Sequence, residues 1–90
     1  MSILKSIELI HQADGHNKFY KIILSKDNQY EVMTYWGKIK TYGDLMCKYA
    51  GDSLEEAEKI FDKTLKSKLR KGYLLAKLDG LEVRKYDQKV

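Results

Sequence analysis

The segment 35–43, with the sequence YWGKIKTYG, combines aromatic and cationic side chains within nine residues. It contains Trp36, the only tryptophan of the chain, together with Lys38 and Lys40. An aromatic ring beside cations can stack on a sugar or a base while the lysines contact phosphates. Gly37 has no side chain, which allows another backbone to approach the ring closely. The alternative is a structural Trp36, and the pattern alone favours it, because large aromatic side chains are usually buried.

A second concentration of charge lies between residues 59 and 71, where six basic residues accompany one acid, Asp62. One interpretation is a helix face that follows the phosphates of a nucleic acid, since each neutralised phosphate adds to the affinity. The other is a solvated helix exterior with cations at the negative end of its dipole, which is favoured for a typical charge run. The basic residues are Lys59, Lys63, Lys66, Lys68, Arg70 and Lys71.

The composition fits one small globular domain over residues 1–90, with 17 basic and 13 acidic side chains and a formal net charge of +4. The six glycines are too dispersed for a dinucleotide-binding fingerprint or a phosphate-binding loop. Two histidines and the single Cys47 cannot build a zinc site unaided. We therefore expect no enzyme activity, no metal and no cofactor. No apolar stretch is long enough for a membrane span or a secretion signal, so a cytoplasmic protein is expected.

Residues 53–71 have the pattern of an amphipathic helix. Ser53 followed by Glu56 predicts a capping box, in which each side chain accepts a hydrogen bond from the other residue's backbone N–H. Gly72 provides a helix stop, because it can adopt the left-handed conformation. Acidic residues begin the segment and basic residues end it, which matches the helix dipole. The apolar stripe consists of Leu54, Ala57, Ile60, Phe61, Leu65 and Leu69.

The rest of the chain has the alternation and turns of β-strands. Four strands are predicted before the helix, at 3–13, 19–26, 30–39 and 45–50, and residues 73–78 and 81–86 flank a hairpin turn at Asp79-Gly80. This order predicts an α+β domain, with an antiparallel sheet of four strands, one long helix and a C-terminal strand or hairpin.

Alternation also predicts which residues share a face of each strand. In the fourth strand Cys47 is expected to be a small core residue. His11 is expected to be packed or at a sheet edge. The shared faces are Ile3, Ile7, Leu9, His11 and Ala13 in the first strand, Tyr30, Val32, Thr34 and Trp36 in the third, and Leu45, Cys47 and Tyr49 in the fourth.

Three separated segments resemble the WGR domain. They are residues 16–20 (HNKFY), 36–39 (WGKI) and 71–73 (KGY). Their order and spacing fit the family over roughly residues 7–73, and together they are much more specific than the tripeptide alone. WGR domains occur in the DNA-dependent poly(ADP-ribose) polymerases and in bacterial proteins similar to a molybdate-metabolism regulator. The spelling of these segments is closer to the bacterial branch.

The resemblance implies nucleic-acid binding. In the polymerases the domain lies at a DNA break, where the motif Trp packs on the terminal sugar and polar or basic groups contact phosphates. Carried over, Trp36 stacks, Lys38 supplies the cation of the motif and Asn17 contacts phosphate. Lys38 replaces the usual Arg and loses its bidentate fork, and Asp44 would repel phosphate, so a weaker or broader binding mode is expected. The predicted binding residues are Asn17, Lys18, Trp36, Gly37, Lys38, Lys40, Lys48, Arg70 and Lys71.

Two functions remain open at the level of the sequence. The first is a nucleic-acid-binding module, for DNA rather than RNA, that contacts strand ends or backbone phosphates in the cytoplasm or at a bacterial nucleoid. The second is a docking module on the same scaffold, for a partner protein or a second copy, in which Trp36 is an interface anchor. Neither involves a membrane.

Overall fold

The fold is a five-stranded antiparallel sheet with one helix on one face. A computed structural model describes residues 2–13 and 15–79. The sheet order is β4-β3-β2-β1-β5, so the predicted α+β architecture is confirmed. Residues 81–86, the second strand of the predicted C-terminal hairpin, lie outside the described residues. The elements are β1 (Ser2–His11), β2 (Lys18–Lys26), β3 (Tyr30–Lys38), β4 (Asp44–Gly51), α1 (Leu54–Arg70) and β5 (Leu74–Asp79).

The first four strands form a meander, and the helix then carries the chain across the sheet. Helix α1 packs against β2, β3 and β4, and β5 pairs with β1 at the far edge. The helix of the described residues is neither long enough nor apolar enough to cross a membrane. The buried core consists of Ile7, Leu9, Tyr20, Ile22, Leu24, Val32, Ala57, Phe61, Leu65 and Tyr73.

The start of α1 confirms one half of the predicted capping box and corrects the other. The Ser53 hydroxyl accepts a hydrogen bond from the Glu56 backbone N–H at 3.1 Å, as predicted. The Ser53 backbone N–H, however, donates to the Tyr49 hydroxyl at 3.2 Å. The partner therefore comes from β4, because Tyr49 packs against the core immediately before the helix begins.

Replacement of Ser53 by alanine should lower the free energy of unfolding by about 1 kcal/mol, since it removes the acceptor for a helix N-terminal amide. Urea unfolding followed by circular dichroism measures this loss. Ser53→Asp keeps an acceptor and should stay close to the wild type. Asp52→Ala, an exposed neighbour, is the control, and an equal loss there would contradict a capping role.

Two register shifts overturn parts of the predicted strand faces. Between Ile3 and Lys5 the pairing of β1 with β2 shifts, so Ile3 is 56% exposed and Lys5 is buried instead. The Lys5 ammonium lies 4.8 Å from the centre of the Phe61 ring and 3.9 Å from the Glu58 carboxylate. Ala13 lies beyond the end of β1 and is exposed.

The second shift lies in β4 and makes the prediction for Cys47 wrong. Val32 pairs with Tyr49 whereas Met33 pairs with Cys47, which leaves Lys48 as the extra residue of a bulge. Tyr49 therefore packs against the core, while Cys47 is exposed on the other face. Lys48 is displaced from the ladder, and its position matters for the cleft described below.

Candidate nucleic-acid interface

A cleft of about 230 Å³ lies where α1, β2, β3 and β4 converge. We call it the aromatic cleft. Its walls combine three aromatic rings with two lysines, which come from β2, β3, β4, α1 and the turn after α1. The lining residues are Tyr20, Thr34, Trp36, Met46, Lys48, Lys68 and Tyr73.

The β2–β3 hairpin sets the aromatic part of this cleft. Lys26 pairs with Tyr30 across the turn, and the same register places Tyr20 directly opposite Trp36. The two rings stack with centroids 6.2 Å apart and planes 23° apart. Trp36 is half-buried, packs against the core and also lines the cleft, so it has the structural position that its pattern favours while one part of it remains accessible.

The end of α1 brings Lys68 and Tyr73 to the same place. Gly72 has a φ of +101°, as expected of a left-handed helix stop. The Gly72 N–H donates to the Leu69 carbonyl at 3.1 Å and the Tyr73 N–H to the Lys68 carbonyl at 3.2 Å, which is the hydrogen-bond pattern of a Schellman turn. The turn folds Tyr73 back beside Lys68, whose ammonium lies 4.4 Å from the Tyr20 centroid and 5.8 Å from that of Tyr73.

The electrostatics of the aromatic cleft favour an anion. The pKa of Lys68 is lowered from 10.5, first by burial and then by the positive charges of Lys71, Lys48 and Lys18. No acidic residue lines the cleft among the residues that the structure describes. Burial, and secondarily Tyr20, raises the pKa of Tyr73 above 10.0, so its hydroxyl stays neutral at physiological pH. A cluster of cations attracts negative ligands.

Gly37 permits a close backbone approach, as its position beside Trp36 predicted, and the approaching backbone belongs to the protein itself. A Cβ on Gly37 would lie 2.8 Å from the Cα of Gly43. A Cβ on Gly43 would in turn overlap the Trp36 carbonyl oxygen. The loop between them is closed by Thr41, whose hydroxyl donates to the Lys38 carbonyl at 2.7 Å. The glycine pair therefore fixes the backbone of the motif.

The structure brings some of the predicted binding residues together and leaves others apart. Trp36 and Lys48 line the aromatic cleft, and Lys18 lies at its margin with its ammonium 5.8 Å from the Tyr73 centroid. Lys71 lies close enough to lower the pKa of Lys68. The others do not line the cleft: Gly37 is half-buried beside Gly43, while Asn17, Lys38, Lys40 and Arg70 are exposed.

Two of the exposed residues nevertheless lie near the cleft. Lys38 is the register partner of Lys18 at the end of the β2–β3 ladder. The Asn17 carbonyl accepts a hydrogen bond from the Ile39 N–H at 3.1 Å, and its side-chain oxygen accepts one from the Gln12 amide at 3.2 Å. The segment 17–18 is thus tied to the segment 38–39, next to the motif.

Five cleft residues are absent from the predicted set, namely Tyr20, Thr34, Met46, Lys68 and Tyr73. The turn at 27–29 could have revealed Tyr20, because counting back from it places Tyr20 opposite Trp36. Helical spacing could have revealed Lys68, which follows Phe61 by seven residues and so lies beside the buried stripe. Tyr73 depends on the turn at Gly72, whose exit direction the sequence pattern does not give.

His11 is packed by ring contacts: it pairs with Lys18 of β2 and lies one residue beyond the part of β1 that pairs with β5. Its ring contacts those of His16 at 4.6 Å and Tyr73 at 5.3 Å, centroid to centroid. Residues 2–13 and 15–79 contain no group of three His, Cys, Asp or Glu side chains that could hold a metal ion. Ring packing is therefore the role that the structure gives His11.

The fold and the cleft define the class of the protein: a small α+β domain whose cleft combines aromatic rings with lysines. The family model of the WGR domain matches residues 5–79, which is most of the chain. The chain belongs to the WGR family. A WGR domain is a nucleic-acid-binding module and not a catalytic domain.

Among solved structures, the chain is similar to the crystal structure of a protein from Bacteroides fragilis, determined by the Northeast Structural Genomics Consortium. The TM-score is 0.66 and the sequences are 28% identical. The similarity covers 94% of this chain and 22% of that one, so the chain spans less than a quarter of the length of that protein. No curated protein matches the sequence.

Proposed function

We propose that the protein is a DNA-binding module that uses the aromatic cleft to hold an exposed sugar or base at a strand end. One observation carries this proposal: stacked rings and two lysines line the same cleft, and no acidic residue of the described part of the chain lines it with them. Trp36 packs on the sugar or base, and Lys48 and Lys68 hold the adjoining phosphates. Lys18 adds positive charge from the margin.

The recessed position of the rings supports a terminal nucleotide as the ligand. In the interior of a duplex the bases stay stacked on each other, so they cannot enter a cleft. At an end, nick or flap a nucleotide is free to turn towards the rings. Lys38, Lys40 and Asn17 then contact the backbone phosphates of the adjoining duplex, and Arg70 contributes long-range attraction. Such a module would act in the cytoplasm or at the nucleoid.

Fluorescently labelled DNA tests this proposal directly. A short linear duplex and a covalently closed circle of the same sequence are titrated with the protein at two salt concentrations, so that the charge contribution is separated from the end contribution. The linear duplex should bind more tightly at both salt concentrations. Equal affinity for the two would rule out end recognition, and no binding at low salt would rule out the DNA-binding module.

Replacement of Lys68 by glutamine should lower the affinity for the linear duplex about tenfold, the loss expected of one charged hydrogen bond worth about 1.5 kcal/mol. Because the pKa of Lys68 is lowered, the wild type should begin to lose affinity at a pH at which ordinary lysines remain charged. Lys68→Arg should move that decline to higher pH, since Arg stays protonated. A pH series of binding titrations measures both effects.

Lys66→Gln is the matched control for Lys68, since Lys66 is exposed on the same helix and lines neither wall of the cleft. It removes the same charge, so any difference in DNA affinity between the two variants is due to the position of the lysine. An equal loss of affinity in both variants would mean that α1 attracts DNA only through its total charge.

A second candidate function, protein docking, is favoured by the edge strand β4. Leu45 and Met46 are 61% and 49% exposed on this edge of the sheet, and one side of its backbone is unpaired within the described sheet. Exposed edges of this kind pair readily with another strand, here that of a second copy. Light scattering after nuclease treatment tests it: a stable dimer that binds no DNA at low salt would favour docking.

A further inference from the structure

A second cleft, of about 400 Å³, lies along the C-terminal half of α1. We call it the helix cleft. It shares Tyr20, Lys48 and Lys68 with the aromatic cleft, so the two form one continuous groove. The remaining lining residues are Ile60, Lys63, Thr64 and Ser67 of α1 and Lys71, which directly follows the helix.

The lining of the helix cleft suits a chain that is both anionic and partly apolar. Four lysines line it, and no acidic residue does so among those the structure describes. Tyr20 and Ile60 add apolar surface within the same walls. The Thr64 hydroxyl donates to the Ile60 carbonyl at 2.8 Å, whereas Ser67 lies half-buried in the wall of the cleft. A double helix presents only phosphates and sugar edges to such a groove, but a single strand presents phosphates and bases together.

The polar residues of the helix cleft are arranged along the helix axis. Lys63, Ser67 and Lys71 follow each other at intervals of four residues, which places them in one row along the helix. The rise from Lys63 to Lys71 is about 12 Å at 1.5 Å per residue, enough for more than one phosphate. Lys48 and Lys68 stand at the junction with the aromatic cleft. A strand that leaves the aromatic cleft therefore meets Lys63 and Lys71, with the Ser67 hydroxyl between them, along α1.

We propose that the helix cleft binds a short single-stranded DNA extension that continues from the nucleotide held in the aromatic cleft. The preferred ligand is then a duplex end with an overhang or flap of a few nucleotides. This inference rests on the proposed function, because it takes the aromatic cleft as the site of the terminal nucleotide. It adds a second binding site and names the kind of end that fills it.

The test compares blunt duplexes with duplexes that carry single-stranded extensions of increasing length. The wild type should gain affinity with the first few added nucleotides and then reach a plateau. The double variant Lys63→Gln, Lys71→Gln should lose this gain, which is measured relative to the variant's own affinity for the blunt duplex, because the charge of Lys71 also reaches Lys68 in the aromatic cleft. Its salt dependence on the overhang ligand should flatten by about 1.4, since each single-strand phosphate contributes about 0.7 to the slope.

The double variant Lys59→Gln, Lys66→Gln is the matched control. It removes the same charge from exposed positions of the same helix that do not line the helix cleft. The control should keep the gain from the overhang. An equal loss in the two double variants, or no gain from an overhang in the wild type, would overturn the inference.

The proposed function and the inference about the helix cleft can fail separately. If blunt duplexes bind through Trp36 but extensions add nothing, the helix cleft has no part in binding and the proposed function stands. If no DNA binds at low salt, the proposed function fails and the inference fails with it. Equal gains from DNA and RNA extensions would support the path along α1, because the row of lysines contacts phosphates rather than sugar hydroxyls.

Discussion

Replacement of Trp36 by alanine should lower the affinity for a linear DNA duplex by about 5- to 150-fold, the range of one lost stacking contact worth about 1–3 kcal/mol. The affinity for a closed circle should fall much less, because a circle has no terminal nucleotide to place in the cleft. The ring that is lost stacks on Tyr20 and lines the aromatic cleft. Anisotropy titrations of the two labelled ligands measure the difference.

Two controls separate binding from folding in this experiment. Trp36 packs against the core, so the alanine variant is also less stable, and its thermal unfolding must be complete well above the assay temperature. Trp36→Phe keeps a stacking ring and should retain most of the affinity. Tyr35→Ala removes a ring from the opposite face of β3 and should leave the preference for ends intact. If Trp36→Ala weakens binding to ends and circles equally, Trp36 does not recognise ends.

Replacement of Gly43 by alanine should lower the free energy of unfolding by at least about 2 kcal/mol, because a left-handed conformation and overpacking each cost roughly 1–2 kcal/mol or more. Gly43 has a φ of +72°, and a Cβ there would overlap the Trp36 carbonyl oxygen and lie 3.0 Å from the Phe19 ring. The loop can relieve the overlap only by moving the backbone of Trp36. Loss of DNA affinity should therefore accompany the loss of stability.

Gly15 offers the matched control for Gly43. It has a similar φ of +82°, but no atom of the described residues other than its chain neighbours lies within 4 Å of the place a Cβ would occupy. Gly15→Ala should lower the free energy of unfolding only by the cost of the left-handed conformation, roughly 1–2 kcal/mol, and should leave DNA binding unchanged. Urea unfolding of the two variants compares the costs. Equal destabilisation would show that the contact between Gly43 and the Trp36 backbone is unimportant.

The parts of the fold that follow local rules could be predicted from the sequence. Ser53 and Gly72 mark the two ends of α1, and the alternation in β3 places Val32 and Trp36 on the core face. Ile3 and Cys47 were placed wrongly because each lies at a shift in strand pairing. A bulge depends on how a strand fits its partner, and one extra residue reverses every face beyond it.

The site was predictable to a smaller extent. The motif at 36–38 is local, and the resemblance to the WGR family identified it. The direction of Lys48 depends on the bulge in β4, and the meeting of Lys68 with Tyr73 depends on the turn at Gly72. These are relations between distant segments, which composition and spacing do not determine. The two basic regions predicted separately therefore meet only in part: Lys68 lines the aromatic cleft beside Trp36, whereas Lys38 and Lys40 do not.

The lysines around the aromatic cleft repel each other and so lower the stability of the free protein. A bound polyanion would remove this cost. Lys18, Lys48 and Lys71 oppose the charge of Lys68, and this repulsion exists only when the chain is folded. A bound polyanion neutralises the repulsion and stabilises the folded chain by mass action. The free protein should therefore unfold more readily than the protein that holds a polyanion.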